Sequence, residues 1–343
     1  MRKRTFHSLC CTKTLLFSLV FSLCVGYSGN IMTYANGEAQ SPQSIPDSPQ
    51  RIVVFPLFSE EMLLEMVGPE RIVYVGHEYF DNGEGYSPTM DLTKNIDGRY
   101  WDMSVDERII AHNPDLIVLE EGFFCDYMEI WPQLYRARIP FLFLDTPETI
   151  EDIRDVLLAL GAEVGESEKA TQMVEDMDAG LAQITEIVSS IPEEERARVF
   201  HYVYYTDDYR GKDEDAYATW HRQNSFAMTA RASGVIAEGP DTEAWIIGGP
   251  EERLLEANPN IITFEYVHYD TNGSISDVAG PNNDKNINNT INALLTNPAL
   301  ADVPAIKNRA IYPIRLCESQ FIVQSAQELA QLAYPHLFPE KDK

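Results

Sequence analysis

Short apolar runs alternate with amphipathic stretches from Arg51 onward. Four to eight apolar residues between turn residues are typical of a buried strand, whereas apolar residues three or four apart are typical of a helix. In the first half of the chain this pattern predicts strands at 51–55, 72–75, 115–119 and 140–144, and helices at 59–66, 104–112, 129–138 and 149–160. Such alternation indicates a mainly parallel sheet with helices on both faces.

One amphipathic stretch, 166–190, is much longer than the others and keeps helical spacing throughout. A polar break at Pro192 follows it, and a second alternation then begins. Strands are predicted at 199–205 and 310–314, helices at 225–233, 252–257, 290–295 and 325–334, and a loop at 270–289. We therefore predict an α/β protein of two Rossmann-like lobes with mainly parallel sheets, 51–165 and 191–343, joined by one long linker helix, 166–190.

The two predicted lobes share a sequence motif. Glu107-Arg-Ile-Ile-Ala-His-Asn-Pro-Asp-Leu-Ile is echoed by Glu252-Arg-Leu-Leu-Glu-Ala-Asn-Pro-Asn-Ile-Ile. Each copy predicts a short helix, which ends before the proline, and then a buried strand. Both glutamates suit the third position of their helix, where such residues cap helix starts. The alternative is that the helix starts display one carboxylate per lobe, matched in charge to arginines on a symmetric partner.

The first 35 residues resemble a secretion signal. Basic residues near the start precede an apolar run too short to span a membrane well, and Thr33-Tyr-Ala35 suits cleavage after Ala35. Residues 36–50 are predicted as a flexible leader. Cys24 is a lipidation candidate, but it follows Leu23 rather than a small residue, so we favour a protein without a lipid anchor. The chain is expected in the periplasm or at the cell surface.

Composition narrows the class of partner. The net charge of −28 argues against nucleic acid and anionic membranes as partners. Cleavage after Ala35 would leave only Cys125 and Cys317, one in each lobe, which excludes a disulfide framework and favours two buried thiols. A monomer without an intrinsic cofactor is expected.

No catalytic or metal-binding motif stands out. The chain has no Gly-x-Ser-x-Gly, no phosphate loop and no His-x-x-x-His spacing, and 270–274 matches a calcium loop poorly. Aromatic residues instead crowd the predicted loops and strand ends, where open α/β sheets bind ligands. Flat rings there would stack on a macrocycle or an aromatic chelate. The candidate contacts are Tyr79, Tyr100, Trp101, Tyr205 and Trp245; Arg315 could hold an anionic group of the same ligand.

Taken together, these motifs resemble the substrate-binding proteins of ABC importers for iron-siderophores, heme and cobalamin, over residues 51–338. The resemblance is carried by Arg51-Ile-Val-x-x-Pro, by the two glutamate motifs, by Ile139-Pro and by 303–312, Val-Pro-Ala-Ile-Lys-Asn-Arg-Ala-Ile-Tyr. The Gly-Gly-Asn that often follows the second-lobe helix in that family is replaced here by Ser233-Gly-Val-Ile.

The resemblance implies roles for individual residues. Glu107 and Glu252 correspond to glutamates that dock on permease arginines. Trp101 corresponds to a tryptophan that stacks on cobalamin, and Trp245 lies one residue from a second such tryptophan. Tyr100 lies within one residue of the tyrosine that ligates iron in heme-binding relatives.

The sequence therefore predicts a binding protein that delivers a metal chelate, a ferric siderophore or heme, to an ABC permease dimer. Within the same class the alternative is cobalamin. Two further alternatives remain, an enzyme of another class and a metal-ion binder of related architecture. A secreted α/β enzyme would need titrating groups that face each other across the cleft. A zinc or manganese binder would need three or four convergent His and carboxylate ligands.

Overall fold

A computed structural model of the chain describes residues 25–28, 31–34, 44–55, 58–76, 88–93, 95–96, 105–120, 137–207, 225–238, 250–269, 275–278 and 284–338. Its helices are α1 (Phe58–Val67), α2 (Met90–Thr93), α3 (Val105–Ala111), α4 (Ile150–Glu163), α5 (Ser167–Val188), α6 (Ser225–Ala232), α7 (Pro250–Ala257), α8 (Asp284–Thr296), α9 (Pro304–Lys307) and α10 (Ile322–Ala333). Short 3₁₀ turns occur at Pro69–Arg71, Glu193–Glu195, Pro298–Leu300 and Pro335–Leu337. No helix among these residues is long and apolar enough to cross a membrane.

The strands form two sheets. They are β1 (Val25–Ser28), β2 (Ile31–Tyr34), β3 (Ile52–Val54), β4 (Ile72–Val75), β5 (Leu116–Glu120), β6 (Phe141–Leu144), β7 (Arg198–Asp207), β8 (Ile236–Glu238), β9 (Ile261–Tyr269), β10 (Ile275–Val278) and β11 (Ile311–Pro313). The N-lobe sheet has the order β1-β2-β6-β5-β3-β4, in which β6, β5, β3 and β4 are parallel. In the C-lobe sheet, β8, β7, β9 and β11 are parallel. The predicted two-lobe α/β fold class is confirmed.

An antiparallel hairpin extends the edge of the N-lobe sheet. β1 pairs with β2, and β2 pairs antiparallel with β6. Both hairpin strands lie within the segment predicted to be a signal peptide, so cleavage after Ala35 would remove them and expose the edge of β6. The domain boundaries and the cleavage site stay predictions.

Two local predictions are wrong. The segment 270–289 is not all loop, because β10 pairs antiparallel with the end of β9 and α8 begins at Asp284. The helix predicted at 149–160 continues to Glu163, and the chain turns at Gly165, which has a φ of 75°. Gly161 has a different purpose: a Cβ there would lie 2.3 Å from the Cβ of Ala170, so glycine lets α4 and α5 pack closely.

The long helix α5 belongs to the core of both lobes. Its buried stripe faces inward at Ala170, Met173, Met177, Leu181, Ile184 and Val188. The stripe is continuous with buried residues of the N lobe, such as Leu142 and Leu160, and of the C lobe, such as Phe226 and Leu329. Two further clusters fill the opposite faces of the two sheets. One hydrophobic core therefore runs through the linker into both lobes.

Candidate functional site

The two glutamate motifs adopt the same local structure. Glu107 is the third residue of α3 and Glu252 is the third residue of α7, and both side chains are exposed. In each motif the helix is followed by an asparagine with a left-handed backbone, Asn113 at a φ of 46° and Asn258 at 44°. Asparagine is among the residues that tolerate this conformation best. Each asparagine turns the chain from its helix into a central strand, β5 or β9.

In each lobe an arginine donates hydrogen bonds to a carbonyl oxygen at the end of the motif helix. The Nε and Nη2 atoms of Arg51 donate to the carbonyl oxygen of His112, at 2.8 and 2.5 Å. In the C lobe, Nη2 of Arg198 donates to the carbonyl oxygen of Ala257 at 2.8 Å. Both carbonyls lie at the carboxyl end of a motif helix, where unpaired carbonyls and the helix dipole favour a cation. The two glutamate motifs therefore match in structure as well as in sequence.

The predicted aromatic contacts cannot be assigned a geometry. Tyr79, Tyr100, Trp101 and Trp245 lie outside the described residues, and for Tyr205 only the backbone, within β7, is described. Their roles as ligand contacts stay predictions. The same holds for the docking roles of Glu107 and Glu252.

Carboxyl groups from both lobes gather where the carboxyl ends of the two parallel sheets meet. Glu120 ends β5, and Glu61 lies in the first turn of α1, which follows β3. From the C lobe come Glu265 within β9 and Glu318 in the segment that follows β11. We call Glu61, Glu120, Glu265 and Glu318 the junction floor. Ligands of open α/β sheets bind beyond the carboxyl ends of the strands, so the junction floor lies in the region where such proteins bind ligands.

Arg315 joins the lobes at this floor. Its Nη2 atom donates to Oε1 of Glu61 at 2.6 Å, and the Glu61 side chain is 8% exposed. The hydroxyl of Ser319 donates to the other Glu61 oxygen. Nε2 of Gln320 donates to Oε2 of Glu65 at 2.8 Å. Arg315 thus binds a carboxylate of its own chain, and its contact with an anionic ligand stays a prediction.

Glu120 is buried and held by α1. Its Oε1 accepts from the backbone nitrogen of Ser59 at 3.1 Å and from the Ser59 hydroxyl at 2.8 Å. Burial raises the pKa of Glu120 well above its usual value, against these hydrogen bonds, and the neighbouring Glu318 and Glu60 carboxylates raise it further. Burial therefore favours the neutral carboxyl of Glu120 over its carboxylate more than solvent would.

Glu318 has a similar environment but keeps partial solvent exposure. Burial raises the pKa of Glu318 to about 7, and the Glu265 and Glu61 carboxylates add to the rise. Hydrogen bonds from the backbone and hydroxyl of Ser225, the first residue of α6, lower it. Glu318 thus titrates near neutral pH at the junction of the lobes.

Cys317 lies in the same segment and is a free, buried thiol. Burial raises the pKa of Cys317 to about 12, and the Glu61 carboxylate adds to the rise. The neutral thiol is therefore the stable form, and such a cysteine is unreactive. Cys125, its only possible partner after cleavage, lies outside the described residues.

The described residues do not converge as metal ligands. Among them, no group of three or more His, Cys, Asp or Glu side chains could hold a metal ion. Paired carboxyls with raised pKa values, as in Glu120 and Glu318, also occur in the clefts of hydrolases. The choice between binding and catalysis therefore depends on the family of the chain.

A separate groove of about 470 Å³ lies beside the linker helix. It is lined by α4, α5 and α6, and its walls include Arg154, Asp178, Met228 and Arg231. Nε of Arg154 donates to Asp178 at 2.8 Å across the groove. Arg315, the predicted ligand contact whose side chain the structure describes, is not among its walls.

Comparison with known proteins decides the family. A family model described as "Periplasmic binding protein" matches residues 63–315, well over half of the chain. The chain belongs to the periplasmic binding protein family. This membership confirms that the protein is a binding protein rather than an enzyme, and it confirms the predicted family of extracytoplasmic substrate-binding proteins.

Individual members of the periplasmic binding protein family are distant in sequence. The uncharacterized ABC transporter substrate-binding lipoprotein YvrC of Bacillus subtilis (strain 168) is 22% identical over 246 residues, which cover 70% of this chain and 68% of YvrC. A periplasmic binding protein from Veillonella parvula superposes with a TM-score of 0.67 at 17% identity, over 90% of this chain and 99% of that one. The periplasmic heme-binding protein RhuT from Roseiflexus sp. RS-1 gives 0.62 at 18% identity, over 84% and 99%. These structures establish the shared fold.

The junction floor was missed at the sequence level. None of its four residues is among the ligand contacts predicted from the sequence. A usable sign was present, because Glu265 interrupts an apolar strand and Glu120 ends another. Charged residues are rarely buried in strands unless they are paired or functional.

Proposed function

We propose that this chain is the substrate-binding component of an ABC importer, and that it captures an iron complex, a ferric siderophore or heme, between its lobes and delivers it to the permease. The observation that carries the proposal is the family match over 63–315 on two parallel sheets whose carboxyl ends meet at one junction. YvrC supports the transporter role, and RhuT supports a planar iron chelate as cargo.

Cobalamin is the second candidate cargo. The observation that favours it is the pair Trp101 and Trp245, which correspond to the stacking tryptophans of cobalamin-binding relatives, the second within one residue. Two aromatic walls suit a corrin ring as well as a porphyrin. The proposed fold, partner and cleft are the same for both candidates.

A thermal-shift panel tests the cargo. We expect the mature chain, residues 36–343, to melt at a higher temperature with one class among hemin, cyanocobalamin, ferric catecholates and ferric trihydroxamates. A ligand that binds only the native state adds about 2.7 kcal/mol of stability at a hundredfold excess over Kd. The iron-free chelators serve as controls. If no compound shifts the transition at any concentration, the proposed function is wrong.

Docking on the permease is tested by charge reversal. The double variant Glu107→Arg, Glu252→Arg should lower uptake of labelled cargo at least tenfold, because two carboxylates facing permease arginines would become repulsive. Its affinity for cargo should change less than twofold. The matched control is Glu175→Arg, Glu186→Arg, two exposed glutamates on α5. Equal loss in both double variants would count against docking through Glu107 and Glu252.

A further inference from the structure

The two motif helices, α3 and α7, match in which side chains they bury. In each helix the motif glutamate is exposed, the arginine after it is half-buried, and the next residue, Ile109 or Leu254, is buried. The residue after that is apolar in both lobes, Ile110 and Leu255, and neither is fully buried. Residues three apart lie on the same face of a helix, so each of these apolar residues is a surface neighbour of its motif glutamate.

Leu255 is not required for the packing of its helix. It is the most exposed large apolar side chain of the described residues, at 45%. Among those residues it is part of none of the apolar clusters that fill the two lobes. Leu254 and Ala257, on the inner face of α7, are 1% and 7% exposed and hold the helix against its lobe. A polar residue at position 255 would leave that packing intact, so the fold does not explain the leucine.

Ile110 is the counterpart of Leu255 in the N lobe. It packs on one side against the cluster that contains Ile109 and Phe141, and its remaining surface faces outward. Single apolar residues on a protein surface are common and need no explanation. Here an apolar residue recurs in both lobes, each time three residues after an exposed glutamate. Apolar contacts flanked by charged groups are typical of protein–protein interfaces.

We propose that Ile110 and Leu255 are apolar contacts of the surface that docks on the permease, each beside the motif glutamate of its lobe. This inference rests on the proposed function. The partner is the permease dimer, because a two-fold symmetric protein offers the same contact twice and this chain carries the same pair of residue types twice. Each half of the partner should pair an arginine with an apolar pocket one helical turn away. The C lobe should contribute more, since Leu255 has more apolar surface left to bury.

The apolar contacts and the glutamates should respond differently to salt. Charges at the rim of an interface mainly speed association, and salt screens them. Buried apolar contacts mainly slow dissociation, and salt does not screen them. Leu255→Ser should therefore raise the dissociation rate about three- to tenfold, the effect of burying the exposed half of a leucine, at both low and high salt. Glu252→Gln should instead slow association at low salt and have little effect at high salt.

Photo-cross-linking in the producing cells tests which protein covers these residues. The photoreactive amino acid p-benzoylphenylalanine replaces Ile110, Leu255 or, as the matched control, Leu158. Leu158 lies on α4, outside the motif helices, and is 42% exposed, close to the 45% of Leu255. We expect Ile110 and Leu255 positions to cross-link to a permease subunit, identified by mass spectrometry, and the Leu158 position not to do so.

Binding kinetics then test the contribution of Leu255. The permease identified by cross-linking is reconstituted in lipid nanodiscs, and its association and dissociation rates with the chain are measured by surface plasmon resonance. Leu158→Ser is the control and should leave both rates within about twofold, because it changes a side chain of similar exposure away from the docking surface. Circular dichroism and thermal melting check that both serine variants fold like the parent chain.

The outcomes separate this inference from the proposed function. Permease cross-links from only one of the two lobes, equal cross-linking from Leu158, or capture of a different class of protein or a second copy of the chain overturns the inference. An unchanged dissociation rate in Leu255→Ser also overturns it.

Absence of permease cross-links in cells where Glu107→Arg, Glu252→Arg lowers uptake removes the inference and leaves the proposed function standing. If that charge reversal has no effect and no iron chelate or cobalamin binds, the proposed function is wrong, and the inference with it.

Discussion

Replacing Arg315 by methionine should lower the free energy of unfolding by about 3 kcal/mol, because it removes a guanidinium that binds a buried carboxylate. Glu61 is 8% exposed and accepts from Arg315 at 2.6 Å across the junction of the lobes. Methionine keeps most of the side-chain volume, so packing changes little. Urea denaturation of the mature chain at pH 7 measures the difference.

The double variant Arg315→Met, Glu61→Gln serves as the control for charge. Once the carboxylate is removed as well, more than half of the lost stability should return. Removing both charges of a buried ion pair costs far less than removing only one of them. A single variant as stable as the parent chain would show that this contact does not hold the lobes together.

Arg71→Met should lower the free energy of unfolding by about 3–5 kcal/mol, which is the largest effect that we expect from a single substitution. The Arg71 side chain is 9% exposed. It donates to the carbonyl oxygens of Pro49 at 2.8 Å and Val164 at 2.7 Å, and to Oε1 of Glu166 at 2.6 Å. Loss of the guanidinium removes the donor from the buried carbonyl oxygens of Pro49 and Val164 and the cation from Glu166, whose side chain is 35% exposed.

Arg154→Met is the matched control. Arg154 also forms ion pairs, with Glu151 at 2.6 Å and Asp178 at 2.8 Å, but all three side chains are largely or partly exposed. Exposed pairs contribute about 0.2–1 kcal/mol. Chemical denaturation of both variants should therefore separate them by at least 2 kcal/mol. Equal losses would mean that burial of Arg71 does not set its contribution.

The fold could be predicted from the sequence wherever one local pattern decided the structure. The stripe along α5 follows helical spacing, and the two glutamate motifs each gave a helix, a turn and a central strand. The helix at Asp284–Thr296 was missed in its first half because asparagines separate Ile287 from Ile291, and asparagine is a weak helix former. Tertiary packing of Leu294 and its neighbours compensates for that composition.

The junction floor could not be predicted, since it depends on contacts between distant parts of the chain. Glu61 and Arg315 are separated by 254 residues, and Glu120 meets Glu318 only after both sheets have formed. Sequence spacing carries no information about such encounters. The aromatic contacts were predicted from resemblance and from their position near strand ends, and they await a ligand-bound structure.

Close packing of the linker helix α5 at two glycines constrains how cargo can be exchanged. Gly161 lies against Ala170, and Gly180 lies against Val323 of α10, so α5 is seated closely in both halves of the molecule. Pivoting about it would press the side chains of Ala170 and Val323 into the backbone at these glycines. Large rotation of the two lobes about α5 is therefore strongly resisted, unlike rotation in proteins whose lobes are joined by flexible strands. Cargo would then enter and leave through movements of segments at the edge of the interlobe cleft. The importer would have to act on those segments rather than separate the two lobes.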